Sequence, residues 1–403
     1  MNARSPRAAL AAALVLLGVT ARAVEWTPVA KIDLLGGQFF FQGQNTSFSG
    51  NANWLFSPGI RLSDSDAVVP LVTGQYRRTR EVRELVGGGF LTAESLDNAV
   101  ALKWIHLFSS EWNIKPNLSY KNELITDSKD EKLGYGIFDY HKFSAGVELE
   151  RAGGELFKSV RQSLTAYAVR FYHYRALSAQ SAEFGAEVNS GDRVLDFNAY
   201  DYTLSADAQP REAALISGSL LASVRPYRDQ KIVTVSGEYQ NSNRLDIYAV
   251  GTLSARLSVA QWGNLESAAG LNGGYTRVFS NQSNYDAQST RFNPGYYDYG
   301  ELSVGPFAAA RWRKVLSAAL SYDFTRRAYD HRPAQDAAGL YGARAIRMDT
   351  HTVSLAAGYD LTKRLALKLS GSYRRATSNM LYESTYRYNY WTAHYFAGLG
   401  WTL

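Results

Sequence analysis

From Val24 to Leu403 apolar and polar side chains alternate one for one, again and again, and this pattern limits the fold more than any other feature. Trp112, Ile114, Pro116, Leu118 and Tyr120 share one parity; Asn113, Lys115, Asn117, Ser119 and Lys121 share the other. Leu316, Ala318, Leu320, Tyr322 and Phe324 alternate with a face carrying Ser317, Ser321, Asp323 and Thr325. Period two puts one face of a strand in an apolar medium and the other in a polar one. Segments of roughly 10 residues match a tilted strand crossing a bilayer. Apolar residues do not recur at helical spacing over long windows, and no apolar run after Val24 is long enough for a spanning helix. The segments are rich in Tyr, Thr, Val and Phe, which favour sheet.

Two kinds of connection separate the segments. Ser109-Ser110, Trp262-Gly263-Asn264, Trp312-Arg313-Lys314 and Asp360–Arg364 are tight; Ala176–Arg193, Ser280–Gly295, His331–Arg347 and Ala376–Arg387 are long and polar. Short turns at one end and long loops at the other predict an all-β, transmembrane, antiparallel up-and-down barrel. Seventeen segments can be marked, but a single-chain barrel with both ends on one side needs an even number. The surplus one falls between Ala176 and Leu245. The expectation is sixteen strands, with fourteen or eighteen as the alternatives. A soluble sandwich also alternates, yet it has no reason to keep aromatic strand ends throughout. Trp54, Phe56, Trp104, Phe108, Trp112, Tyr167, Phe171, Trp312, Tyr322, Phe324, Tyr395 and Trp401 are assigned to two interfacial girdles.

Composition fits a secreted chain. There is no cysteine, which excludes a disulfide framework, a thiol nucleophile and a Cys-based zinc site. Residues 1–23 read as a cleaved signal peptide: Arg4 and Arg7, then the apolar run Ala8–Val19, then Ala21-Arg22-Ala23. Residues 24–403 are then the barrel. Losing Arg4, Arg7 and Arg22 lowers the formal net charge from +6 by three, so the basic balance does not point to a nucleic-acid partner.

The end of the chain carries the most specific motif. Tyr395, Ala397, Leu399, Trp401 and Leu403 share one face, opposite Phe396, Gly398, Gly400 and Thr402. Gly398, Trp401 and Leu403 occupy three positions of a polar–Gly–aromatic–hydrophobic ending, with Phe396 in the polar place and Leu403 in place of a terminal Phe or Trp. This ending resembles that of Gram-negative outer-membrane β-barrel proteins of porin and export-pore type. The resemblance implies residence in the outer membrane of a diderm bacterium. It also implies contact with outer-membrane lipid and lipopolysaccharide, and an insertion signal read by the barrel-assembly machinery.

A barrel of this size has room for a watery lumen. The inward parity is assigned Lys115, Lys121, Glu148, Asp201, Asp207, Glu238, Arg256, Asp323, Lys368 and Arg374, a nearly balanced set that sets an electrostatic filter without strong ion selectivity. The expected role is a channel passing small hydrophilic solutes or exporting a polymer. Two alternatives compete: an enzyme acting on lipid or peptide at the rim, and a surface-binding or assembly barrel working through long loops. None of the six histidines has a serine or a second histidine at i, i+2 on one strand face, so the expectation is a protein that is not an enzyme. No cofactor or metal is expected. Val86–Phe90 lacks the Lys-Ser/Thr of a phosphate loop, and Ser63–Asp66 reads as a polar turn rather than a calcium loop. Arg77, Arg78, Arg80 and Arg83 form the densest basic run, and read as a solvated strand end or, second, as a site for anions.

Overall fold

A computed structural model describes residues 25–42, 48–78, 81–84, 89–126, 131–174, 193–383 and 386–403. The segment expected to be a signal peptide, the span 176–192, Arg80 and the glycines at 87 and 88 lie outside them. Sixteen long strands form the wall: β1 (Ala30–Phe41), β2 (Phe48–Phe56), β3 (Asp66–Arg77), β4 (Glu94–Leu107), β5 (Trp112–Thr126), β6 (Tyr140–Ala152), β7 (Phe157–Phe171) and β8 (Phe197–Arg211) make the first half. β9 (Ala214–Val233), β10 (Tyr239–Trp262), β11 (Leu265–Ser280), β12 (Tyr299–Trp312), β13 (Leu316–Gln335), β14 (Tyr341–Asp360), β15 (Leu365–Ser378) and β16 (Tyr390–Thr402) make the second.

Each strand pairs antiparallel with its chain neighbours, and β16 returns to β1 in a register running from Lys31↔Thr402 to Phe41↔Thr392. The sheet is closed, so no strand edge is left to aggregate or to meet lipid unpaired. Two short strands, Glu25–Thr27 and Gly59–Arg61, extend it at the end where the connections are short.

The surplus segment expected between Ala176 and Leu245 is the stretch from Lys231. It is the upper end of β9, not a separate strand. β9 and β10 form a tall hairpin closed by a tight turn in which Thr234 N donates to Glu238 O (2.8 Å).

Alternation sets the two faces. Leu118, Leu164, Leu220 and Leu253 all point outward, each more than half exposed, as does the whole parity they share. Outward rings mark both ends of this band: Trp112, Trp262, Trp312 and Trp401 toward the short turns, Phe143, Tyr200, Phe279 and Tyr395 toward the loops. Trp54 lies across Gly74 on the neighbouring strand, so the ring covers backbone that a side chain would otherwise shield.

Two of the girdle assignments are corrected. Tyr167 and Phe171 sit on the parity opposite Leu164 and point inward, and Phe171 is buried. They belong to an interior cluster with Ile125, Phe138, Val169, Tyr174, Val194 and Leu195. A second cluster on the far wall joins Tyr329, Ala334, Ile346, Met380 and Tyr388. The apolar packing of this barrel therefore lies inside its loop end, as well as on its lipid-facing surface.

The loops are pinned where strands leave the ladder. Ile125 N donates to Asp139 Oδ1 (2.6 Å), Phe171 N to Asp196 Oδ1 (2.8 Å), Ser280 N to Asp298 Oδ1 (2.7 Å), and Ser378 N to Asn389 Oδ1 (2.6 Å). In each case the acceptor stands at or just before the start of the returning strand. Burial pushes the three carboxyls above the usual range, and the N–H donors pull them partly back. Replacing Asp196 by Ala strands the Phe171 N–H at a local cost of about 1–3 kcal/mol. The loop side should then be cut faster in limited proteolysis, while Asp196→Asn, which keeps the acceptor, should match the parent. Identical cleavage of all three proteins would contradict this.

Candidate functional site

The inward parity of the wall is polar, and across β4 to β8 several of its charges are paired from strand to strand. Lys121 Nζ lies 2.6 Å from Asp97 Oδ2 and 2.9 Å from Glu123 Oε2. Lys115 Nζ lies 3.0 Å from Glu148 Oε1 and also contacts Glu150. Asp207 takes Arg161 at 2.6 Å, Ser159 at 2.9 Å and Ser217 at 2.6 Å. Period two makes this ladder possible, because directly opposed residues of adjacent strands face the same way.

The opposite wall is smoother. Ala309, Ser317, Ala319, Ala356, Gly358 and Ser370 line a cavity of about 640 Å³ near the short-turn end, with Arg256 and Lys368 on its border. Lys368 pairs with Asp33 across β16, reaching over Gly400. Arg374 Nε donates to Thr352 Oγ1 (3.3 Å), and Asp323 stands in the space left by Gly305. Asp201 lies in register with Thr165 and Ser223, and its Oδ1 is buried without a hydrogen-bond partner among the described residues. Glu238 is placed differently from the sequence-based expectation. It lies in the turn between β9 and β10, where its N donates to Thr234 Oγ1 (3.1 Å), beyond the wall of the lumen.

Toward the loops the interior is crowded with rings. A cavity of about 450 Å³ is lined by Tyr140, Lys142, Tyr167, Phe197, Arg225, Tyr227, Arg244, Tyr248, Tyr297, Tyr299, Arg327 and Tyr329, with four apolar neighbours. Each cation lies over a ring. Lys142 Nζ is 3.8 Å from the Tyr167 centroid, the Arg225 guanidinium 3.8 Å from Tyr248, Arg244 4.0 Å from Tyr297, and Arg327 4.3 Å from Tyr299. Arg244 also holds Asp246 through two bonds of 2.8 and 2.7 Å, and Arg327 holds Glu301 at 2.7 Å.

The connection between β11 and β12 helps to line this cavity. Gln282 ties it to β9, accepting from Val233 N (3.2 Å) and donating to Lys231 O (2.9 Å). Asp286 accepts from the Tyr341 hydroxyl (2.7 Å). The returning chain brings Tyr297 onto Arg244 and Tyr296 under Arg332, which also donates to the Tyr388 hydroxyl (2.7 Å).

None of these cations was among the expected lumen residues. The signal was present, because Lys142 shares parity with Tyr140, Arg225 with Tyr227, and Arg327 with Tyr329 and Tyr299. Reading strand-end tyrosines such as Tyr167 as interfacial hid it. Of the other arginine pairs, Arg326 points outward to Asp349 (2.8 Å) while Arg327 points inward, as neighbours on one strand must. Arg77 is on the inward parity of β3; the side chain of Arg83 lies outside the described residues.

A polar interior, an apolar outer band edged by rings and a fully closed sheet are the properties of a strand barrel that crosses a bilayer. The chain folds as a closed, membrane-spanning β-barrel. No family model matches its sequence, and no curated protein matches it. OmpT of Vibrio cholerae, described as an outer membrane protein, aligns over 95% of this chain and 100% of its own, at 9% identity and a TM-score of 0.48. A bacterial polysaccharide outer membrane secretin aligns over 93% and 97%, at 8% identity and a TM-score of 0.44. The FrpB iron transporter of Neisseria meningitidis aligns over 90% of this chain and 63% of its own, at 12% identity and a TM-score of 0.44.

One expectation is withdrawn here. A barrel architecture hosts catalysis as readily as conduction. The exclusion of an enzyme rested on spacing along single strands, but charged groups meet between strands. His106 Nδ1 lies 2.8 Å from Asp66 Oδ1 across the β3–β4 pair, 40 residues apart in sequence. The hydroxyls of Ser63 (2.8 Å) and Ser65 (2.9 Å) donate to the same carboxylate. The chain is therefore not classed as a non-enzyme.

Proposed function

We propose that the barrel is a channel for small hydrophilic solutes across the outer membrane. The observation that carries this reading is the inward parity. It is polar and small-residue-rich along the short-turn half, and it leads to a mouth whose cations lie against tyrosine faces. Such a wall replaces part of a solute's hydration and selects by size and charge. The same fold serves export of a polymer, but the rings carried inward at the loop end, Tyr297 among them, favour small solutes. The lumen residues Lys115, Lys121, Glu148, Asp207, Arg256, Asp323, Lys368 and Arg374 would tune conductance, most of them as members of ion-paired ladders. Gly398, Trp401 and Leu403 would serve insertion by the barrel-assembly machinery, and the outer band would contact lipid and lipopolysaccharide.

Folded protein reconstituted in a planar bilayer should give stepwise conductance. Silence at all voltages, from protein that still shows heat-modifiable migration, would overturn the channel reading. A surface-binding barrel would then be favoured.

A further inference from the structure

The cavity at the loop end carries a charge imbalance. Among the described residues no carboxylate lines it. Arg244 and Arg327 are neutralised by Asp246 and Glu301. Lys142 and Arg225 are not: among the described residues neither has a carboxylate within salt-bridge distance. Arg225 Nε donates to the Ser223 hydroxyl (3.2 Å), a neutral partner, and Lys142 rests on the Tyr167 ring. Asp201, on the strand between β7 and β9, is the acid that both cations feel electrostatically, so two cations share one carboxylate.

Cation–π contact orients such groups without cancelling their charge. A narrow, largely tyrosine-lined space makes their attraction for an anion stronger than it would be in open water. The volume, about 450 Å³, lies within the range of small-molecule pockets and is enough for a solute of one or two rings. The surrounding rings offer flat faces to the C–H side of a sugar, and tyrosine hydroxyls can bond its hydroxyls.

We propose that this cavity is a binding site for a singly charged anionic ring solute, of the acidic-sugar class, held by Lys142 and Arg225 and stacked on Tyr167 and Tyr248. The inference deepens the channel reading, and rests on it only for the route by which the solute arrives. The carboxylate would meet the two cations, giving the charge-assisted bonds that distinguish it from a neutral sugar.

The test uses the full barrel in detergent, titrated calorimetrically with galacturonate, galactose and galactose phosphate. Galacturonate should bind at least about tenfold more tightly than galactose, the ratio that one good charged contact supplies. The double variant Lys142→Gln/Arg225→Gln should lose that preference, while Lys142→Arg/Arg225→Lys should keep it. Heat-modifiable migration confirms that each variant is folded. Tighter binding of the phosphate would keep the anion site but overturn the acidic-sugar assignment. Equal binding of the neutral sugar, or full binding by the Gln variant, would overturn the site. Bilayer recording separates this from the channel reading: current without galacturonate binding sinks the site alone, and binding without current sinks the channel alone.

Discussion

Replacing Gly398 by Leu is expected to prevent the barrel from closing. The last strand meets the first along the seam, and Gly398 stands opposite Leu35 on the inward face. A Cβ there would overlap the Leu34 carbonyl oxygen and approach the Leu35 Cα to 2.8 Å. These are backbone atoms in a hydrogen-bonded ladder, and they cannot step aside as a side-chain tip would. Gly37, on the other side of the seam, would meet the Tyr395 carbonyl oxygen in the same way. An unclosed seam leaves two strand edges in hydrocarbon, where each unsatisfied backbone group costs several kcal/mol, so partial closure is not a stable state. The expected result is loss of the heat-modifiable band, both in cells and on refolding into detergent. Gly371→Ala is the control, since its Cβ would have an ordinary contact of 3.5 Å with the His394 carbonyl oxygen. Refolding into detergent needs no assembly machinery. A Gly398→Leu protein that refolds normally in detergent but fails in cells would place the role of Gly398 in the insertion signal instead of the seam.

The second large effect is expected at the mouth. Replacing residues 283–297 by a short Gly-Ser linker removes Tyr296 and Tyr297 from the interior while keeping Asp298 on Ser280 N and Gln282 on β9. Arg244 loses the ring at 4.0 Å but keeps Tyr227 at 4.5 Å and both bonds to Asp246, so the wall behind it stays ordered. The loop-end interior then opens on one side. Single-channel conductance should rise severalfold, with unchanged heat-modifiability, because the sheet is untouched. Tyr297→Ala should move conductance in the same direction by less. Unchanged conductance in both proteins would mean that the narrowing limiting ion flow lies elsewhere, with the paired charges of β4 to β8 as the next place to look.

The limits of sequence reasoning show at particular residues. Lys115 and Glu148 were legible as inward residues because parity is local; that they lie opposite each other and form an ion pair follows from register, which the turns decide. Tyr167 was misread because a tyrosine near a strand end serves an interface and a lumen equally well, and parity had to be counted from Leu164 to separate them. Glu238 was misread because alternation runs smoothly over a strand end into a tight turn. The surplus segment at Lys231 came from the same cause: β9 continues past the length a bilayer needs, and length alone made two strands of one. The Asp66–His106 pair was invisible, since its members are distant in sequence and meet only through the β3–β4 register.

What the sequence by itself determined is the face of nearly every wall residue, and with it the barrel. A strand has only two faces, and a bilayer punishes a charged residue on the outer one. What only the tertiary structure decided is the interior of the mouth. The position of Tyr297 over Arg244, and the lack of a described carboxylate at salt-bridge distance from Lys142 and Arg225, depend on how a long loop returns and which strands stand side by side. Neither leaves a period in the chain, because they are set by contacts between segments rather than by the order of residues within one.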